Sequence, residues 1–254
     1  MLSALIFDVD GTLADTESAH LRAFNTAFVL AGMSWHWSEE RYRELLAISG
    51  GKERIAYHWL LEDPEAATST EAARKIRHIH QLKTDEYTRL VQEGQVELRP
   101  GIHRLIVDAY CSGLPMAIAT TTTPANVEAL LHHCLGRDWR KFFAVICDAS
   151  TPGDKKPAPD VYLHALAALN VHSGNCIAFE DSENGLRAAS TAGISTIITP
   201  TNFTRDQDFS DAMLVLPHLG DPEIPIPAGN DVHQTMVDML TLRCLHADPL
   251  LKAG

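Results

Sequence analysis

The chain has 254 residues, 45% of them hydrophobic, enough for one large domain or a core plus a smaller module with a sizeable buried interior. Asp and Glu number 33 against 21 Lys and Arg, a formal net charge of -12, which argues against a nucleic-acid or anionic-membrane partner because both call for a basic face. The five cysteines are odd in number and free of C-x-x-C spacing, so neither a disulfide framework nor a zinc knuckle is suggested and a reducing compartment fits.

The N-terminal "MLSALIFDVD" carries no basic leader or cleavage site, and no apolar run approaches the ~20 residues of a spanning helix, so a soluble, cytoplasmic protein without a membrane partner is expected. "LIFDVDGTLADT" begins as an apolar strand and ends in Asp8 and Asp10. Side chains two apart on a strand point the same way, so the two acids converge. Converging carboxylates are costly unless a cation or a shared proton relieves them. Oxygen ligands of this kind suit Mg2+, which favours a few carboxylates, waters and a substrate phosphate. Gly11 permits a tight turn, and Thr12 can orient the pair.

No convincing strand follows for a long stretch. "ESAHLRAFNTAFVLAGM" places Leu21, Phe24, Phe28 and Ala31 near one helical stripe, "SEERYRELLAI" and "KERIAYHWLL" follow, and a long polar helix is expected over residues 71–92. These make a helical cap at residues 15–92, with hinges near 14–16 and 93–100. Trp35, Trp37 and Tyr42 are expected as cap packing.

Further on, "PMAIAT", "FFAVIC", "NCIAFED" and "ISTIIT" are short apolar strands of the buried, parallel kind. They alternate with helical patterns such as "GIHRLIVDAYCSG", "PANVEALLHHCLG", "DVYLHALAALN" and "NGLRAASTAG". The pattern is α/β: a Rossmann-like parallel sheet core, residues 1–14 and 93–220, with the all-helical cap inserted after its first strand. Insertion there puts the cap over the strand ends, where open α/β sheets bind ligands. The extension 221–254 starts Pro-rich, and its stretch "DVHQTMVDMLTLRCL" is helical in pattern.

Three strand ends carry chemistry. In "ATTTTPANVEALL" Pro124 fits the first helical position and Thr123 the cap, so hydroxyls and free N–H groups would face an anion. In "DKKPAPD" a lysine at a loop-to-helix junction can neutralise a phosphoryl group. "CIAFEDSENGLRAA" ends a strand in Glu180 and Asp181, which could share a divalent cation with the first pair. His78 and His80 diverge on a helix, and His132 and His133 are adjacent, so no zinc site follows.

In this order, "DVDGTLADT", the Thr of "AIATTTT", "KKPAPD" and "FEDSENG" resemble the four motifs of the haloacid dehalogenase superfamily with a helical cap. The cap stretches "TESAHLRAFN", "WHWSEERYRELLAISGGKERI" and "IHQLKT" are similar to the CbbY family of sugar-phosphate phosphatases, which are associated with carbon-fixation genes. The resemblance implies a phosphatase of xylulose-1,5-bisphosphate, a misfire product and inhibitor of Rubisco. It makes Asp8 the nucleophile and Asp10 the acid and base, protonated when substrate arrives. Mg2+ would be held by Asp8, the Asp10 carbonyl and Asp181, with Glu180 direct or through water, while Thr120 and Lys156 grip the phosphoryl group and Thr121 and Thr122 add contacts. Glu17 and His20, three apart on one helical face, can address the same sugar hydroxyls. Gly50 and Gly51 with Lys52 and Arg54 form a flexible basic turn suited to a second phosphate, and His80 and Lys83 match a cap motif. The alternatives sharing this core chemistry are a β-phosphoglucomutase-like mutase and a phosphoglycolate phosphatase. A monomer with a small phosphorylated sugar as its partner is expected.

Overall fold

The computed structural model describes residues 1–229 and 234–247. Six strands form one sheet, β1 (Ala4–Phe7), β2 (Met116–Ala119), β3 (Val145–Cys147), β4 (Cys176–Glu180), β5 (Ser195–Ile198) and β6 (Leu214–Val215), in the order β3-β2-β1-β4-β5-β6. Every pairing is parallel, as the alternating strand and helix pattern requires. Chain order reverses between β1 and β4, which creates a crevice at their carboxyl ends.

The strand residues alternate between two faces, and both faces are covered. Leu5 and Phe7 of β1, with Ile118, Ile177 and Phe179, pack against α6 (Ile102–Cys111) and α7 (Pro124–Leu135). Ala4 and Ile6, with Ala117, Ala119 and Ala178, meet α8 (Asp160–Leu169) and α9 (Glu183–Thr191). Small residues on that second face let the two helices approach closely, which explains why these strands are hydrophobic throughout rather than alternating with polar residues.

Between β1 and α6 lie α1 (Glu17–Leu30), α2 (Glu39–Leu45), α3 (Gly51–Glu62), the short α4 (Pro64–Ala67) and α5 (Ala72–Gln92). They have a core of their own, built on Leu21, Phe24, Phe28, Trp37, Tyr42 and Ile79, with Ala31 half-buried against it. Trp37 and Tyr42 are wholly inside and stacked, their ring planes 27° apart, and Trp35 packs against the same cluster. Helix α5 serves two cores: Ile79 joins the cap cluster, whereas Tyr87, Leu90 and Val91 join the main one. The two connections run side by side, for Ala14 pairs antiparallel with Leu98 and the Arg99 N–H donates to the Leu13 carbonyl at 2.9 Å. The Arg99 guanidinium then ties together the carbonyls of Gly11, Thr199, Pro200 and Pro217.

The C-terminal stretch is part of the core. Ile226, Val237 and Leu242 are buried in the main cluster, and Arg104 of α6 holds the carbonyls of Gly220 (2.8 Å) and Val237 (3.0 Å). The helical pattern in "DVHQTMVDMLTLRCL" becomes α10 (Met239–Ala247); its first residues, 231–233, lie outside the described residues. Among the described residues no helix is long and apolar enough to cross a membrane. Truncating the buried Leu242 to Ala is expected to cost ~2–5 kcal/mol in urea unfolding. The same change at Leu240, which is 67% exposed, should stay within about 0.5 kcal/mol.

Candidate active site

Asp8 follows β1, Glu180 ends β4 and Asp181 comes next, so all three carboxylates meet at the reversal of chain order. All are buried, and one oxygen from each lies within 4.8 Å of the others. Lys156 enters from the loop before α8 and spends its three donors on Asp8 Oδ1 (2.6 Å), Glu180 Oε1 (2.6 Å) and the Ala119 carbonyl (2.8 Å). The Tyr162 hydroxyl donates to the same Glu180 oxygen at 2.7 Å.

One lysine does not balance three acids. Burial, opposed by Lys156 and reinforced by the Glu180 charge, pushes Asp8 up to about 7. Burial and the charges of Glu180 and Asp8 raise Asp181 well above the usual carboxylate range. Burial disfavours charge on Lys156, yet Asp8 and Glu180 outweigh it and hold the lysine protonated. A buried, all-oxygen cluster with surplus negative charge fits a divalent cation of the Mg2+ kind. Two glycines make the room: a Cβ on Gly11, whose φ is +80°, would overlap the Asp181 carboxylate, and one on Gly185 would overlap that of Glu180. Ser182 caps α9 just beside them, accepting from the Gly185 N–H.

Asp10 points elsewhere. Its Oδ1 accepts from the Thr16 hydroxyl (2.9 Å) and from His20 Nε2 (3.0 Å), and Lys83 Nζ lies 2.9 Å from His20 Nδ1. An ammonium can only donate, so Nδ1 is the acceptor and Nε2 carries the hydrogen that faces Asp10. Burial works against the Asp10 carboxylate, but His20 and the Lys83 charge hold it well below its ordinary range. In the resting site these donors therefore favour the ionised form of Asp10. Its side chain also stands apart from the Asp8, Glu180 and Asp181 trio.

A cavity of about 330 Å3 joins the acids to the cap. At the core end, Thr120 and Thr122 are buried beside Asp8, with Thr121 on the wall, and Thr123 caps α7 with Pro124 at its first turn. The Asn126 amide, buried in that helix, donates to the Thr122 hydroxyl at 3.0 Å. At the cap end, Gly50 (φ +94°) and Gly51 open α3 without a side-chain cap, so its free N–H groups and Lys52 border the cavity. The basic turn is less free than its composition implies. The Arg54 guanidinium is committed to Leu45 O (3.0 Å), Ile48 O (3.2 Å) and the Tyr42 hydroxyl (3.1 Å). Burial, with Lys83 and Lys52 nearby, lowers His80 to about 3, so it offers no cation, and its ring lies against Gly51. Glu17 accepts from the Tyr42 hydroxyl at 2.6 Å. Glu17 and His20 thus both line the cavity but answer to different partners.

Some residues here escaped the sequence. Lys155 borders the cavity and pairs with Glu53 of α3 at 2.7 Å; the Lys-Lys doublet was the signal. Tyr162 looks like one more apolar position of α8, and nothing near Thr204, whose hydroxyl reaches Asp181 Oδ2 at 3.3 Å, marks it.

A parallel sheet whose central strand ends in a paired-acid loop, a lysine bridging to acids on the next strand and a helical insert above define a hydrolase class. Residues 2–193 match the model of the haloacid dehalogenase-like hydrolases, and the chain belongs to that family. The expected enzyme class, a phosphoric monoester hydrolase, stands with that membership. Within the family its place is among the CbbY proteins: it is 53% identical to the plasmid-borne CbbY of Cupriavidus necator over 99% of this chain and 100% of that one. The fold is similar to a crystal structure of Rhodobacter sphaeroides CbbY, a D10N mutant in complex with xylulose-1,5-bisphosphate, at TM-score 0.79 and 44% identity, covering 86% of this chain and 95% of that one. A β-phosphoglucomutase from Clostridium difficile is also similar, with TM-score 0.69 and 25% identity over 85% of this chain and 91% of that one.

Gly185→Ala is expected to keep the fold by circular dichroism, since Ala favours a helix by ~1 kcal/mol, while displacing Glu180 and weakening Mg2+ in calorimetric titration. Burial lowers Lys83 to about 8, against the opposing pull of Asp10 and Glu17, so it is charged below that pH and neutral above it. Hydrolysis should therefore decline as pH rises through about 8, and Lys83→Met should be slower throughout and lack that decline in a pH–rate profile.

Proposed function

We propose that the chain is a Mg2+-dependent phosphatase of a small sugar bisphosphate, xylulose-1,5-bisphosphate, acting through a phosphorylated Asp8. The observation that carries this is one cavity with an anion-holding place at each end: Lys156 and the threonines before α7 at one, the uncapped start of α3 with Lys52 at the other. Helix N-termini and lysines suit phosphate, and two such places in one cavity favour a substrate with two. The Rhodobacter sphaeroides relative bound to xylulose-1,5-bisphosphate supports the choice of sugar. In the cell we place this activity in the cytoplasm, in the service of carbon fixation, with the enzyme acting as a monomer.

In the first half-reaction an Asp8 oxygen attacks phosphorus in line and the bond to the sugar oxygen breaks. Asp10, ionised in the resting site, takes up a proton as the substrate phosphate arrives and gives it to that oxygen. In the second half, water attacks phospho-Asp8, Asp10 takes its proton, and phosphate leaves with Asp8 restored. The proton given to the sugar is thus recovered from water, and each turnover balances. Thr16 and His20 hold Asp10 in the ionised form that the second half needs, with Lys83 fixing the tautomer of His20. Lys156, with the hydroxyl of Thr120 and the N–H groups near Thr121 and Thr122, would stabilise charge on the transferring phosphoryl group. Mg2+, held by Asp8, Asp181, the Asp10 carbonyl and Glu180 directly or through water, would offset their charge and that of the phosphate. Glu17, His20, Arg54 and His80 would shape the sugar end.

Xylulose-1,5-bisphosphate incubated with enzyme and Mg2+ should release one equivalent of phosphate per substrate consumed; accumulation of an isomer would instead mark a mutase. Asp8→Asn should fold normally and lose at least ~10^3-fold of this activity, because an amide is isosteric but not nucleophilic. Retention of the rate by that variant would remove Asp8 from the role.

A further inference from the structure

The cap cluster contains one member from outside residues 15–92 among the described residues: Phe203, on the loop after β5. It is 6% exposed, and its ring meets Tyr42 edge to face, centroids 5.7 Å apart and planes at 85°. Arg43 grips the same turn, its guanidinium 5.8 Å above the Phe203 ring and donating to the Asn202 carbonyl at 3.3 Å. The turn itself is stiff. The Phe203 N–H donates to the Thr201 hydroxyl at 3.1 Å, and the Thr201 N–H to the Thr204 hydroxyl at 2.9 Å. Thr204 in turn reaches Asp181 at 3.3 Å. A single turn therefore touches the acid trio with one residue and the cap with the one before it.

On the far side of Tyr42 stand Glu17 and Arg54, both bonded to its hydroxyl. Tyr42 cannot shift without moving them, and Phe203 is what the core presents to Tyr42. Elsewhere cap and core are joined at the base, by Thr16 and His20 on Asp10 and by Tyr87, Leu90 and Val91 in the main cluster, and across the cavity by solvent-facing pairs, Lys155 to Glu53 at 2.7 Å and the Asn184 amide to the Ala47 carbonyl at 3.1 Å. Exposed pairs of that sort contribute little, whereas a buried phenyl ring contributes much and tolerates no gap.

We infer that Phe203 is a positioning residue for substrate selection: inserted into the cap, it sets the distance between the Tyr42, Glu17 and Arg54 cluster and the phosphoryl-transfer site. It acts through Tyr42 and need not touch substrate. The inference rests on the proposed reading of the cavity as holding one sugar phosphate across both ends. A long substrate that must engage cap and core together depends on this spacing, and a small aryl phosphate does not.

The test compares wild type, Phe203→Ala and Phe203→Leu on xylulose-1,5-bisphosphate and on p-nitrophenyl phosphate, with saturating Mg2+. Phe203→Ala should raise KM for the bisphosphate about tenfold and leave kcat/KM for the aryl phosphate within about twofold. Phe203→Leu, which keeps an apolar plug and guards against a misfolded Ala variant, should shift the same ratio about threefold. An unchanged ratio in Phe203→Leu, or equal losses on both substrates in either folded variant, overturns the inference. Should wild type leave the bisphosphate untouched, the proposed substrate falls by itself. The ratio is then measured with the sugar phosphate that wild type turns over best, and the same outcomes decide the role of Phe203.

Discussion

Everything in this molecule is arranged around a repulsion. Asp8, Glu180 and Asp181 are brought together in a buried place where burial and the Glu180 charge make ionisation of Asp8 and Asp181 harder, and Lys156 relieves only part of that cost at Asp8. The sheet makes the meeting unavoidable. Adjacent parallel strands β1 and β4 deliver their carboxyl ends to one point, and helices on both faces leave the strands no freedom to splay. Stability supplied by the hydrophobic faces sustains the strain at the strand ends, where the chemistry is.

Two carboxylates one residue apart end up with opposite characters. Asp8 sits among acids and its proton affinity rises; Asp10 meets Thr16 and His20, with Lys83 behind, and its proton affinity falls. The difference comes from the cap, because Thr16 lies just before α1, His20 on α1 and Lys83 on α5. The insert therefore does more than cover the site. It helps to set which of the two acids holds a proton.

Much of this was legible in the chain. The apolar runs located five of the six strands, since strands buried on both faces read as continuous hydrophobic stretches; β6, only Leu214 and Val215, is too short to show a period. The α1 stripe, the long α5 and the Thr123–Pro124 start of α7 follow from helical spacing and capping chemistry. The acid-rich motifs were visible because an acid at the end of a hydrophobic strand is a local anomaly. What stayed hidden depends on contacts between segments far apart in sequence. Arg54 has the composition of a phosphate ligand but spends its donors on the carbonyls of Leu45 and Ile48, and nothing in its neighbours announces this. Tyr42 and Tyr162 read as packing because their rings do pack; their hydroxyls bond to Glu17 and Glu180 from other parts of the fold. The place of the C-terminal stretch in the main core was likewise beyond local pattern, being set by Arg104 on α6.

The pairing of Ala14 with Leu98 has a bearing on how such proteins diversify. Both covalent crossings enter the sheet domain side by side, fastened by backbone bonds and by Arg99, so the core ends cleanly at one doorway. Whatever helical module is spliced between those two residues inherits a ready-made frame for group transfer, and the frame need not be rebuilt to suit a new metabolite.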